Sequence, residues 1–178
     1  MDVKVFRVIN QMSGRSSLVD HFMILVSNKV RYVYFLILIV MWFKKHPYKQ
    51  ITNNAVISAI VTLVMNSFFK LFIYKPRPFI KKRVGILIPS KLDSSFPSKH
   101  TLLVFAVSTS VLLYNRVLGS IMFGLAVMTG LSRIWVGHHY PSDIIGSALL
   151  GSLTSMFVHI ISRSKSNFDV ITRLFRFD

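Results

Sequence analysis

The sequence predicts an all-α integral membrane bundle of about six transmembrane helices, and three observations predict it. Hydrophobic residues fill 52% of the 178 positions, mean hydropathy is +0.54, and only 16% of residues are charged. An average soluble domain has about 25% charged residues. The apolar residues also come in long charge-free blocks, too many to hide inside a globule of this size. Finally, Lys and Arg number 22 against 6 Asp and no Glu, a net charge of +16. The hydrophobic composition excludes a disordered chain, and the charge balance points to anionic partners, lipid headgroups or a phosphate substrate rather than nucleic acid.

The elements follow in chain order. Residues 1–17 place apolar Val3, Val5, Phe6, Val8 and Ile9 among Lys4, Arg7 and Arg15, the pattern of an interfacial segment. No apolar core followed by a small-residue cleavage site marks a signal peptide. Leu18–Asn28 is apolar but short and holds Asp20 and His21. It fits either a tilted crossing or an interfacial helix. Five crossings are expected on Tyr32–Phe43, Gln50–Phe69, Thr101–Asn115, Val117–Ser132 and Ile144–Ser162. The shorter of these reach a spanning length of roughly 17–25 residues by taking in flanking motif residues. The membrane domain is thus 18–162, followed by a basic tail over 163–178.

Alternating crossings put Lys44, Lys45, Lys49, Arg116, Arg163, Lys165, Arg173 and Arg176 on one side, which the positive-inside rule makes cytoplasmic. The other side holds Lys75, Arg77, Lys81, Lys82, Arg83 and Lys91, so charge alone is nearly balanced. If Leu18–Asn28 crosses, both termini are cytoplasmic. If it does not, the N-terminus lies opposite. Cysteine is absent, which removes disulfides and thiol chemistry.

Three constellations stand at helix ends on that other side. Lys70-Leu-Phe-Ile-Tyr-Lys-Pro-Arg77-Pro78 sets a point cation and a planar fork at the end of an apolar helix. Both suit phosphate oxygens, although snorkelling headgroup anchors use the same residues. Pro76 and Pro78 put Arg77 just past the helix. Ser95-Phe-Pro-Ser98-Lys99-His100-Thr101 opens the next helix. Ser98 suits its N-cap, its first amides make an anion site, and His100 can move a proton near neutral pH. Ser132-Arg133, then His138-His139, then Asp143, gather an arginine, two histidines and an acid at a membrane boundary. Asp143, four residues past His139, is within reach to fix its tautomer and stabilise its charge. A capped helix and a structural Arg–Asp pair explain each group alone, but they do not explain why all three share one face.

At these residues the chain resembles the type 2 phosphatidic acid phosphatase superfamily, the lipid phosphate phosphatases. That family's signature reads Lys-x6-Arg-Pro, Pro-Ser-Gly-His and Ser-Arg-x5-His-x3-Asp. Lys70 to Pro78 matches the first part, and Pro97, Ser98 and His100 match the second, with Lys99 in place of glycine. Ser132, Arg133, His139 and Asp143 match the third, whose spacing selects His139 over His138. The resemblance implies a metal-independent phosphatase with no cofactor. In it His139 is the nucleophile, Asp143 orients and charges it, and His100 protonates the leaving group and then activates water. Lys70, Arg77, Ser98, Lys99 and Arg133 hold the phosphate, as spread negative charge in phosphoryl transfer requires. The stretches Gly130 to Pro141 and Tyr74 to Phe79 are similar to the bacitracin-resistance type of undecaprenyl pyrophosphate phosphatases. That likeness implies an isoprenoid diphosphate cleaved at the extracytoplasmic face of a bacterial plasma membrane. Phosphatidylglycerol phosphate and other phospholipid monophosphates are the alternative substrates. The Lys99 side chain is expected to favour the more highly charged head.

Other readings are weaker. An idle lipid-binding or lipid-transport protein has no use for the His139, Asp143 and His100 set. His21, His46 and His159 are isolated, and with no Cys or Glu a metal site is not expected. Trp42 and Trp135 read as interfacial anchors. Lys81, Lys82 and Arg83 read as a solvated charge run. Asp93 has no assigned role.

Overall fold

The computed structural model describes residues 2–81, 85–89 and 92–174. Lys82, Arg83, Lys91 and Arg176 lie outside the described residues, as do the side chains of Lys81, Lys165 and Arg173. The described chain forms seven helices: α1 (Asp2–Asn10), α2 (Ser17–Trp42), α3 (Tyr48–Phe72), α4 (Pro78–Lys81), α5 (Lys99–Leu112), α6 (Arg116–Trp135) and α7 (Pro141–Leu174). Four of them, α2, α3, α6 and α7 through Ser164, are long and apolar enough to cross a membrane. Their outer faces expose Phe35, Leu36, Val64, Phe68, Leu149, Leu153 and Phe157. Their inner faces bury Ser58, Thr62, Asn66, Thr154 and Ser155. Apolar outside and polar inside is the arrangement of helices solvated by lipid, where interhelical hydrogen bonds and close backbone approach replace a hydrophobic driving force. The chain is a multi-pass membrane protein.

The fifth crossing is α5, and it is short. Its 14 residues rise only about 21 Å, less than the hydrocarbon core of about 30 Å. The expected lengthening through flanking motif residues does not occur. None is needed, because α5 is enclosed by α3, α6 and α7 and ten of its residues are buried. Its polar side chains are satisfied across the bundle: Ser108 with Tyr34 at 2.8 Å, Ser110 with Ser58 at 3.1 Å and Thr109 with Ser152 at 3.0 Å. A short central helix inside longer ones leaves a recess above its N-terminus.

Leu18–Asn28 is no separate crossing. It is the first half of α2, which runs unbroken for 26 residues through Lys29 and Arg31. These charges divide the sequence without breaking the helix, because both are good helix formers. Among the described residues the bundle therefore has four helices of spanning length, with the shorter α5 as a fifth traverse between them. The N-terminal segment does more than lie at an interface. Phe6 of α1 is fully buried against Tyr140, Asn10 donates to the Trp135 carbonyl at 3.0 Å, and Asp2 accepts from the Ser142 amide at 3.0 Å. Trp135 in turn donates to Asp20 at 2.8 Å, so its indole is held by protein and not only by the interface. α1 thus sits over the recess end of α6 and α7.

Candidate active site

Four helix ends meet at the recess: the last turn of α3, the first turn of α5, the last turn of α6 and the first turn of α7. Lys70 ends α3. Because α3 stops at Phe72, Arg77 stands beyond it, on the extended stretch before α4. Gly137, at φ +84°, makes the turn between α6 and α7 in a conformation that suits glycine. That turn delivers His138 and His139 inward.

His139 is 2% exposed. Its Nδ1 lies 2.7 Å from the Ser95 carbonyl oxygen. A carbonyl only accepts, so Nδ1 carries the proton and Nε2 keeps its lone pair. Nε2 faces Arg77 Nη1 at 3.3 Å. Burial, then the charges of Arg133 and Arg77, hold this imidazole well below its ordinary range and therefore neutral. His138 is also buried, but its Nε2 is 2.8 Å from the Ile88 carbonyl and its Nδ1 has no partner among the described residues. Burial and Arg133 push it down to about 4. Its Nε2 is thereby engaged by the backbone, whereas Nε2 of His139 faces a cation.

The direct bond from Asp143 to His139 expected from the four-residue spacing is not made. Asp143 Oδ2 lies 3.9 Å from Nδ1. This carboxylate, fully buried, accepts from the Tyr140 amide at 3.0 Å, from the Ser95 hydroxyl, and from Lys75 Nζ at 2.6 Å. The Tyr140 bond is the reason: an acid three residues into α7 turns back to satisfy an amide at the helix start. Asp143 supports His139 through Ser95, whose hydroxyl holds the acid while its carbonyl holds the imidazole.

Asp93 occupies the two cations of the first motif. Lys70 Nζ donates to Oδ2 at 2.6 Å, while Arg77 Nη2 and Nε reach Oδ1 at 2.6 and 3.1 Å. Burial raises the pKa of this carboxyl. The Lys70 and Arg77 bonds outweigh that and hold it below the usual carboxylate value.

Arg133, 5% exposed, donates to Ser27 of α2 at 2.6 Å, and its Nε has no partner among the described residues. Ser98 takes the N-cap position of α5 without a side-chain cap bond. Its hydroxyl pairs with Thr101 at 3.1 Å and its amide donates to Ser147 at 2.7 Å. The amides that open α5 at Lys99 are left without a side-chain cap, as an anion site requires.

One cavity of about 710 Å³ joins these groups. Lys70, Arg77, Asp93, Lys99, His100, Arg133, His138 and His139 line it, together with apolar Leu63, Leu103 and Val104. The site thus collects Lys70, Arg77, Lys99, His100, Arg133 and His139 around one space, with Asp143 and Ser98 in the wall behind. Sequence reasoning passed over Lys75, Ser147 and Ser27, which bond to Asp143, the Ser98 amide and Arg133, and over Asn28 and Arg31, which line the cavity. For Arg31 a signal was present, a cation set midway in an apolar stretch.

Comparison with known proteins places the chain in a family. The model of the PAP2 superfamily matches residues 51–166. The chain is 35% identical over 179 residues to undecaprenyl-diphosphatase BcrC of Bacillus subtilis (strain 168), covering 98% of this chain and 92% of the relative. It is 31% identical to the bacitracin transport permease protein BcrC of Bacillus licheniformis, over 89% of this chain and 79% of that one. Among solved structures, that of Aquifex aeolicus LpxE superposes with a TM-score of 0.73 at 29% identity, covering 88% of this chain and 93% of its own.

Proposed function

The chain belongs to the PAP2 superfamily, and from that premise we propose that it cleaves undecaprenyl diphosphate to undecaprenyl phosphate through a phosphohistidine on His139. The observation that carries this reading is His139 Nε2, an acceptor held toward Arg77 in the lining of a cavity that has both cationic and apolar side chains. That combination takes a phosphate and a lipid tail together. The relative's name, an undecaprenyl-diphosphatase, supports the choice of lipid.

In this reading Lys70, Arg77 and Arg133, with Ser98 and the amides at Lys99, hold the terminal phosphate. The phosphate takes over the place of Asp93 on Lys70 and Arg77. Nε2 attacks phosphorus, the bond to the bridging oxygen breaks, and His100 gives that oxygen its proton. The neutral state of His139 makes it a nucleophile without prior deprotonation. His100 then takes a proton from water, whose oxygen attacks phosphorus. The P–N bond breaks, orthophosphate leaves, and His139 is neutral again. Fixed cations and amides stabilise the charge spread over the transferring group. No metal is required in this scheme. The reaction is assigned to the extracytoplasmic face of a bacterial plasma membrane. That side follows from the basic loops at Lys44–Lys49 and Arg116 on the opposite end of the bundle.

The test is phosphate release by purified protein in detergent with EDTA. Undecaprenyl diphosphate is compared with phosphatidylglycerol phosphate and phosphatidic acid. Release from the isoprenoid diphosphate, undiminished by EDTA and lowered about a thousandfold or more in His139→Ala, is expected. Preference for a phospholipid monophosphate reassigns the substrate, and full activity in His139→Ala removes the nucleophile assignment.

A further inference from the structure

We propose that Arg31, with Asn28 beside it on α2, binds the second, lipid-proximal phosphate of a diphosphate substrate and so sets the preference for diphosphates over monophosphates. The inference rests on the phosphatase reading above and concerns a residue outside the three signature motifs.

The argument begins with position. α2 contacts the phosphate wall at Ser27, whose hydroxyl accepts from Arg133. Arg31 lies four residues further along, about one helical turn or 5.4 Å toward the middle of the bilayer. A cation there, midway along a 26-residue spanning helix, is costly unless it meets a polar cavity or a partner. Arg31 has no carboxylate partner among the described residues. Its side-chain contacts are with its neighbour Tyr32, a hydrogen bond to the hydroxyl at 3.0 Å and stacking over the ring at 4.9 Å. It does line the catalytic cavity, as does Asn28 one turn before it on the same helix face.

Chemistry then selects the ligand. Apolar Leu63, about two turns before Lys70 on α3, and Leu103 and Val104, about one turn after His100 on α5, line the cavity further along these helices than the motif residues. A substrate with its terminal phosphate at His139 and its tail against those leucines and valine must place whatever joins them between the two. In a diphosphate lipid that junction is a phosphate, and the planar guanidinium of Arg31 fits its oxygens. In a monophosphate the junction is an uncharged ester and the tail itself, which give the guanidinium no anion to pair with. Lys99, exposed and lining the same cavity, adds a second cation on the α5 side.

Farnesyl diphosphate and farnesyl monophosphate, identical but for one phosphate, make the test. Arg31→Met is expected to lower kcat/KM for the diphosphate at least about tenfold, with the monophosphate changed less than twofold and inhibition by orthovanadate retained. Arg31→Lys, which keeps the charge and loses the fork, is expected to fall between. Equal losses on both substrates, or no loss on either, overturn the assignment. Retained vanadate inhibition shows that the catalytic pocket is folded, and Arg31→Lys serves if the Met variant does not fold. Failure of the wild type to hydrolyse the diphosphate at all defeats the phosphatase reading instead, so the two failures are distinguishable.

Discussion

Ser95 performs two tasks with two oxygens. Its carbonyl fixes the His139 tautomer, and its hydroxyl anchors Asp143. Near it, Asp93 sits on Lys70 and Arg77, the two cations proposed to hold the substrate phosphate. Asp93→Asn should therefore strengthen inhibition by orthovanadate. The carboxylate is 40% exposed, and pairs that exposed are worth up to about 1 kcal/mol, roughly fivefold in affinity. Vanadate inhibition constants for the two proteins check this. A weaker constant in the variant would mean that Asp93 instead positions the two cations. At this scale the sequence is informative where function imposes fixed spacing. Lys70, Arg77, Ser98, His100, Arg133, His139 and Asp143 are legible as polar groups at helix ends. The bonds from Lys75 to Asp143 and from Arg77 to Asp93 are not, because they join residues that only the folded loop brings together. The four-residue step from His139 to Asp143 misled for a local reason, the pull of the uncapped helix start.

Among the elements, the crossing of α5 and α7 is the tightest contact that bears on the site. A Cβ added at Gly151 would lie 2.5 Å from the Leu102 carbonyl oxygen and 3.1 Å from the Ala106 amide nitrogen. Both are backbone atoms that cannot rotate away. Gly151→Val should force the helices apart and destabilise the fold by about 1–3 kcal/mol. Thermal unfolding in detergent reads this as a lower Tm, and an unchanged Tm would show the crossing to be slack. The spanning segments themselves are legible from their charge-free runs. Two are not, for different reasons. α2 is interrupted in sequence by Lys29 and Arg31, one of which faces the cavity rather than lipid. α5 is too short to span, because its neighbours rather than lipid surround it.

In the whole molecule, five crossings set the two ends of the bundle on opposite sides. α1 packs on the site face and α7 ends on the other. On the orientation proposed above, the site face is the extracytoplasmic one. Lys70 and Arg77 are matched by Asp93, and Lys75 by Asp143, whereas no acid is within ion-pair distance of Lys44, Lys45 or Lys49 among the described residues. A reporter enzyme active only outside the cytoplasm should therefore work when fused before residue 1 and be silent after residue 178. A fluorescent protein that matures only in the cytoplasm should show the reverse. Equal signals at both ends would restore an even number of crossings.

The acceptor that holds the proton of His139 is a main-chain oxygen, and no codon specifies it. Every replacement at position 95 keeps the carbonyl, and all but threonine and tyrosine remove the hydroxyl. A substitution scan will therefore register Ser95 only through Asp143 and will credit the imidazole's orientation to no single residue. Genetic variation cannot delete that contact by exchanging one side chain; it can only move the loop that carries it. The bond that fixes the His139 imidazole is thus written in the path of the backbone at Ser95, and sequence comparison confined to side-chain identity will pass over it.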